Sequence, residues 1–130
     1  MIKISKRAQY GLRAMVFLAK NYKAKKISSI KIISEKEGIP FEFLEKIIIQ
    51  LERADLVSSK KGVQGGYMLL KNPKLISAND VVSILEDNKK PVDCSLCGRK
   101  KDCLTKNVWA KVESALNKTL ESITLSDLIK

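Results

Sequence analysis

The sequence has no histidine, only three cysteines, three prolines and one tryptophan, and its 14 acidic residues are outnumbered by 25 lysines and arginines. Lack of histidine removes Ser-His-Asp and Cys-His catalytic constellations and His-ligated metal sites. It also leaves no side chain that titrates near neutrality at its ordinary pKa. Three cysteines cannot all pair with one another, and a chain of 130 residues that is 45% apolar has enough core to need no disulfide scaffold. No apolar run reaches the roughly 18 residues of a membrane span. The start, Met1 to Lys6, lacks the apolar stretch of a signal peptide. The expected compartment is a reducing cytoplasm, with no membrane partner.

What is abundant is positive charge, and its placement matters more than its total. Of the net charge of +11, residues 1–61 carry 14 basic and 6 acidic side chains, a balance of +8, which leaves +3 for residues 62–130. Lys3, Lys6, Arg7, Arg13, Lys20, Lys23, Lys25, Lys26 and Lys31 all precede the first acidic residue, Glu35. Such a surface either keeps a small protein soluble or meets a phosphate backbone, where Lys and Arg displace condensed counterions.

The periodicity predicts a mainly α chain with a small β-hairpin. From Ser5 to about Lys20, Ala8, Leu12, Met15, Val16 and Ala19 recur every three or four residues. Ser28 or Ser29 can cap a short helix over Ile30–Lys36, which Gly38 ends. Pro40 suits a first helical residue, and Leu44, Ile47, Ile48 and Leu51 mark the buried stripe of a third helix to about Ala54. This is a helix-turn-helix pattern. Two strand-like runs follow, Leu56–Ser59 and Tyr67–Leu70, joined by Lys60-Lys61-Gly62-Val63-Gln64-Gly65-Gly66. Helix-turn-helix and then a hairpin with a basic, glycine-rich tip is the order of a winged helix, whose wing lies along duplex DNA. Pro73 closes the wing, and Ser77 with Asp80 opens a helix carrying Val81, Ile84 and Leu85.

After Asn88 the periodicity lapses, and Cys94, Cys97 and Cys103 all fall in that interval with a C-x2-C-x5-C spacing. Three thiols on one loop can converge on a point, and thiolate suits iron–sulfur clusters and zinc. The flanking Lys89, Lys90, Arg99, Lys100 and Lys101 favour the thiolate form. A fourth ligand has to be Asp93 or Asp102, water, an exogenous thiol or a group from another subunit, so an iron–sulfur cluster, structural zinc and a metal-free thiol switch all stay open. From about Thr105 a long helix resumes with Val108, Trp109, Val112, Ala115, Leu116, Leu120 and Ile123, suited to joining two subunits, and Ser126-Asp127 begins a last turn.

These residues resemble the Rrf family of bacterial winged-helix regulators (IscR-, NsrR- and CymR-like) along essentially the whole chain. The resemblance is carried by Ile4-Ser5-Lys6 through Tyr10-Gly11-Leu12-Arg13-Ala14-Met15, Ile39 through Phe43-Leu44-Glu45, Leu56 to Gly62 with Gly65-Gly66-Tyr67, Cys103-Leu104-Thr105 leading to Trp109, and Ile123-Thr124-Leu125. It implies a winged helix-turn-helix domain over 1–87, a cysteine sensor loop over 88–104, and a dimerisation helix with a C-terminal turn over 105–130. Glu42, Phe43 and Glu45 would face base edges, with Glu45 accepting from a cytosine amino group. Ser5, Tyr10 and Ser59 would meet the DNA backbone, with Lys60, Lys61 and Gln64 on the wing. Cys94, Cys97 and Cys103 would hold a 2Fe-2S or 4Fe-4S cluster. Two positions depart from the family: Lys106 stands where one branch has a ligating histidine, and Gln9 where another has a ligating aspartate.

The expected function is therefore that of a homodimeric transcriptional regulator. It would bind a palindromic operator in double-stranded DNA and sense iron–sulfur, nitric oxide or redox status. The alternative is a metal-free or zinc-bearing regulator controlled by a protein partner, such as an enzyme of cysteine metabolism. Cys94-Ser95-Leu96-Cys97 could also suggest a dithiol oxidoreductase, but no alternating βα pattern surrounds it, and no enzyme is expected.

Overall fold

A computed structural model describes residues 3–62, 65–86 and 104–129. Among the described residues six helices and one hairpin are formed: α1 (Lys6–Lys20), α2 (Ile30–Glu37), α3 (Phe41–Arg53), β1 (Val57–Lys60), β2 (Gly66–Leu69), a 3-10 turn (Pro73–Leu75), α4 (Ala78–Leu85), α5 (Lys106–Glu121) and α6 (Leu125–Leu128).

Local chemistry sets most boundaries. The Ser5 hydroxyl accepts from the Ala8 N–H and starts α1, and the Ser29 hydroxyl accepts from Ile32 and starts α2. Gly38, at φ 66°, ends α2 in the left-handed region that a side chain disfavours, which lets the chain turn at once into α3. Ser77 and Asp80 form a reciprocal capping box at α4. Pro40 lies one position earlier than expected, as the N-cap of α3, where its fixed φ of −55° leads into the helix without giving up a bonded N–H. The last turn is capped by Thr124 with Asp127 in a second capping box, so it begins before Ser126. The strands are each offset by one residue from the expected runs, with Val57 opposite Leu69 and Lys60 opposite Gly66.

One core holds these elements. Met15 and Leu18 of α1, Ile33 of α2, Leu44, Ile47, Ile48 and Leu51 of α3, Leu69 of β2 and Val81 and Leu85 of α4 are buried in it together. On α4 Val82 is buried where Ile84 was expected, and Ile84 is half-buried against the cluster. α4 packs chiefly against α1. Gly11 favours this close packing, since a Cβ there would run into the Leu85 side chain. The C-terminus folds back: the Ala78 N–H donates to the Ile123 carbonyl at 2.7 Å, the Leu125 N–H to the Ile76 carbonyl at 2.9 Å, and Leu125 is fully buried. α5 contacts α4 but buries none of its own residues. Among the described residues no helix is long and apolar enough to cross a membrane.

Candidate nucleic-acid interface

Besides the core it shares with the helices, the wing pairs by backbone with the residues that lead into α2. Ser28, just before α2, exchanges both backbone hydrogen bonds with Tyr67 of β2, at 3.0 and 2.8 Å. Gly66 permits the approach, because a Cβ on it would lie 2.5 Å from the Ser28 carbonyl oxygen. The sequence suggested no strand at Ser28, since a single bridging residue leaves no alternation to read. Between the wing and the helices runs an open groove of about 460 Å³, lined by Ser29, Lys31, Phe41, Lys60, Lys61 and Tyr67 among others. Burial, with the Glu52 and Glu45 carboxylates nearby, pushes the Tyr67 phenol above its ordinary value of 10.0.

On the other side of α3 stands Tyr10. Its ring meets Phe43 edge to face, with centroids 5.5 Å apart, while Lys6 Nζ and the Arg13 guanidinium lie 5.9 and 5.7 Å from its centroid. Arg13 is itself anchored to the end of α2, donating to the Glu37 carbonyl and lying 3.9 Å from the Glu37 carboxylate. A cation at a helix C-terminus complements the dipole there. One side chain thus ties α1, α2 and the tyrosine ring together.

Between these two flanks the first turn of α3 is open to solvent. Phe41, Glu42, Phe43 and Glu45 are all exposed, as are Ser59, Lys60 and Lys61 along the hairpin. Tyr10 and Ser5 are half-buried at the start of α1. The structure therefore brings Tyr10 against Phe43, leaves Glu42 and Glu45 exposed on the same helix with Glu45 near Tyr67, and sets Ser59, Lys60 and Lys61 along the groove that Phe41 borders. Gln64, Cys94, Cys97 and Cys103 lie outside the described residues. Phe41 escaped the sequence reading because it does not depart from a helical pattern, and Lys31 was singled out only for its charge; the groove joins them.

Ser5 has a second role. Its backbone N–H donates to Glu86 Oε2 at 2.8 Å, and Arg7 Nε donates to the Leu85 carbonyl at 2.9 Å. The start of α1 is thus clamped to the end of α4. Of the two positions bearing on a fourth cluster ligand, Gln9 donates its side-chain amide to the Ile4 carbonyl at 2.8 Å, and Lys106 is the exposed first residue of α5.

The profile of the Rrf2 family, described as an iron-dependent transcriptional regulator, matches residues 4–130. The protein rrf2 of Nitratidesulfovibrio vulgaris is 34% identical over 133 residues, covering 99% of this chain and 88% of that one. Among solved structures, that of CymR, the global cysteine regulator of B. subtilis, superposes with a TM-score of 0.85 at 33% identity, covering 99% of this chain and 97% of the other. That of T. potens IscR gives 0.82 at 35% identity, covering 98% and 85%.

Proposed function

We propose that this chain, which belongs to the Rrf2 family of winged-helix, DNA-binding transcriptional regulators and is not an enzyme, binds a palindromic operator as a homodimer and senses iron–sulfur, nitric oxide or redox status through its three cysteines. One observation carries the operator-binding part. The exposed first turn of α3 lies between two cationic flanks, Lys6 and Arg13 about Tyr10 and Lys31, Lys60 and Lys61 about the groove. A protruding helix with lysines on both sides suits a major groove bounded by two phosphate ridges.

In this arrangement Glu42, Phe43 and Glu45 face base edges, and Glu45 accepts from a cytosine amino group. Ser5, Tyr10 and Ser59 contact the backbone, and Lys60, Lys61 and Gln64 on the wing reach phosphates or the minor groove. Pairing of two copies is supported by α5. Within one chain Val108 is 50% and Trp109 38% exposed, although they share an apolar stripe with Val112 and Leu116. The same stripe on a second copy would cover it. The functional division is a DNA-binding unit over 1–87, a sensor segment over 88–104 and a dimerisation unit over 105–130, with α6 folded back on the first unit.

The donor set of Cys94, Cys97 and Cys103 fits a 2Fe-2S or 4Fe-4S cluster, with zinc as the alternative occupant. When bound, a cluster supplies one-electron chemistry and reactivity toward nitric oxide. The chain's own part is to pass a change in this segment to the DNA-binding unit. The segment begins two residues after Glu86, and Glu86 holds the N–H of Ser5 at the start of α1. A shift there moves Ser5 and Tyr10 against the DNA backbone and, through α5, the spacing of the two recognition helices.

A second reading, a metal-free or zinc-bearing regulator answering to a protein partner such as an enzyme of cysteine metabolism, is favoured by the end-to-end likeness to the structure of a cysteine regulator. Anaerobic purification separates the two. The cluster reading expects a coloured protein with stoichiometric iron and sulfide that Cys97→Ser bleaches. Colourless protein carrying zinc, with Cys97→Ser still answering its signal, would contradict it.

A further inference from the structure

Opposite its buried stripe, α3 presents an uncommon set of side chains for a helix that reads DNA. Phe41 is 46% and Phe43 37% exposed, and Glu42 lies between them in sequence, near the middle of the outward face. Two phenyl rings left in water within three residues are not accounted for by the chain's own core. Phe41 borders the groove toward the wing, and Phe43 leans on Tyr10 with part of its ring still uncovered. The first turn carries no arginine, lysine, asparagine or glutamine, and the first cation of α3 is Lys46.

The major groove narrows what such a surface can read. The apolar group that a base presents there is the thymine C5 methyl. A carboxylate needs a donor, which only the amino groups of cytosine and adenine supply, and it is repelled by guanine O6 and N7. At adenine the amino group sits beside the N7 lone pair, whereas at cytosine its neighbour is a C–H, so cytosine is the better partner for Glu42.

We propose that Phe41 and Phe43 read thymine methyl groups at positions flanking a cytosine read by Glu42, so that this protein selects a thymine- and cytosine-bearing half-site core in place of the guanine contact that arginine would make. The proposal rests on the operator-binding role given above and names the bases that role requires. The carboxylate also opposes approach to phosphate, so the cationic flanks bring the helix to the duplex and Glu42 makes the binding selective.

The test is selection by the full-length chain from a pool of random-sequence duplexes, followed by replacement of single thymines in the recovered site with deoxyuridine. That change removes one methyl and leaves every hydrogen-bonding group in place. The expected half-site places thymines next to a cytosine, and each relevant replacement lowers affinity about three- to fourfold, the worth of one buried methyl. Phe41→Ala, an exposed change, should abolish one of these losses with its unfolding midpoint unmoved, and Glu42→Gln should raise binding to random duplex while relaxing the choice of cytosine. A recovered site at which deoxyuridine costs nothing overturns the base assignment alone. Recovery of no preferred sequence overturns the operator-binding reading, and this assignment with it.

Discussion

The ring of Tyr10, on the first helix, stands edge to face against the ring of Phe43, on the third, with 5.5 Å between centroids and 85° between planes. Through this contact the helix that would meet the DNA backbone fixes the helix that would enter the groove. Phe43 is consequently neither a pure core residue nor a free reader of bases. A double-mutant cycle with Tyr10→Leu and Phe43→Leu in urea unfolding should give a coupling energy of about 1 kcal/mol. Additive losses would show that the rings do not meet.

Gly66 is the point at which the wing can come close to the helices. A Cβ there would lie 2.5, 2.6 and 2.8 Å from Ser28 O, Ser28 C and Ser29 N, all of them backbone atoms that cannot swing aside. Gly66→Ala should destabilise the protein by about 1–3 kcal/mol and speed hydrogen exchange of the Ser28 and Tyr67 amides, which bond each other's carbonyls. Protection unchanged at both amides would contradict this.

Tyr67 gives the protein an alkaline limit. Burial, then Glu52 and Glu45, raises its pKa in the folded state above 10.0, so the folded protein holds the phenolic proton more tightly than the unfolded chain does. This stabilising contribution is complete below pH 10.0 and is lost as pH rises through the folded-state value. The stability difference between the native chain and Tyr67→Phe should be constant below that pH and shrink above it, as read from urea midpoints. A difference that grew with pH would reverse the sign.

Much of this was legible in the sequence, for a local reason. Ser5, Ser29 and the Ser77–Asp80 pair bond to backbone groups three residues away, so spacing alone reveals them. The stripe Leu44, Ile47, Ile48 and Leu51 is buried as its period requires. What stayed hidden depends on residues far apart: the hydrogen bond from Ser5 to Glu86 spans 81 positions, and the Ser28–Tyr67 bridge joins one residue to a strand 39 further on. A carboxylate such as that of Glu86 looks alike in sequence whether it faces water or accepts from a distant backbone N–H, and a single backbone bridge leaves no side-chain pattern at all. Phe41 was unreadable for the opposite reason, since an aromatic at the start of a helix resembles core until its exposure is seen.

Trp109 reports on pairing. It is the sole tryptophan and 38% exposed within one chain. Its emission should shift to longer wavelength on dilution as dimers part, and Val112→Glu, in the same stripe, should produce that shift at high concentration with the helical content retained. Emission independent of concentration, together with a monomer mass in sedimentation, would contradict pairing through α5.

The central claim is that the wing and the helix-turn-helix together clasp duplex DNA, and its most direct test is the salt dependence of binding. Each lysine that neutralises a phosphate adds about one to the slope of log affinity against log salt. Replacing exposed Lys60 and Lys61 with alanine should therefore reduce that slope by about two while leaving the unfolding midpoint unchanged. A slope identical to that of the native chain would place the wing away from DNA and contradict the account.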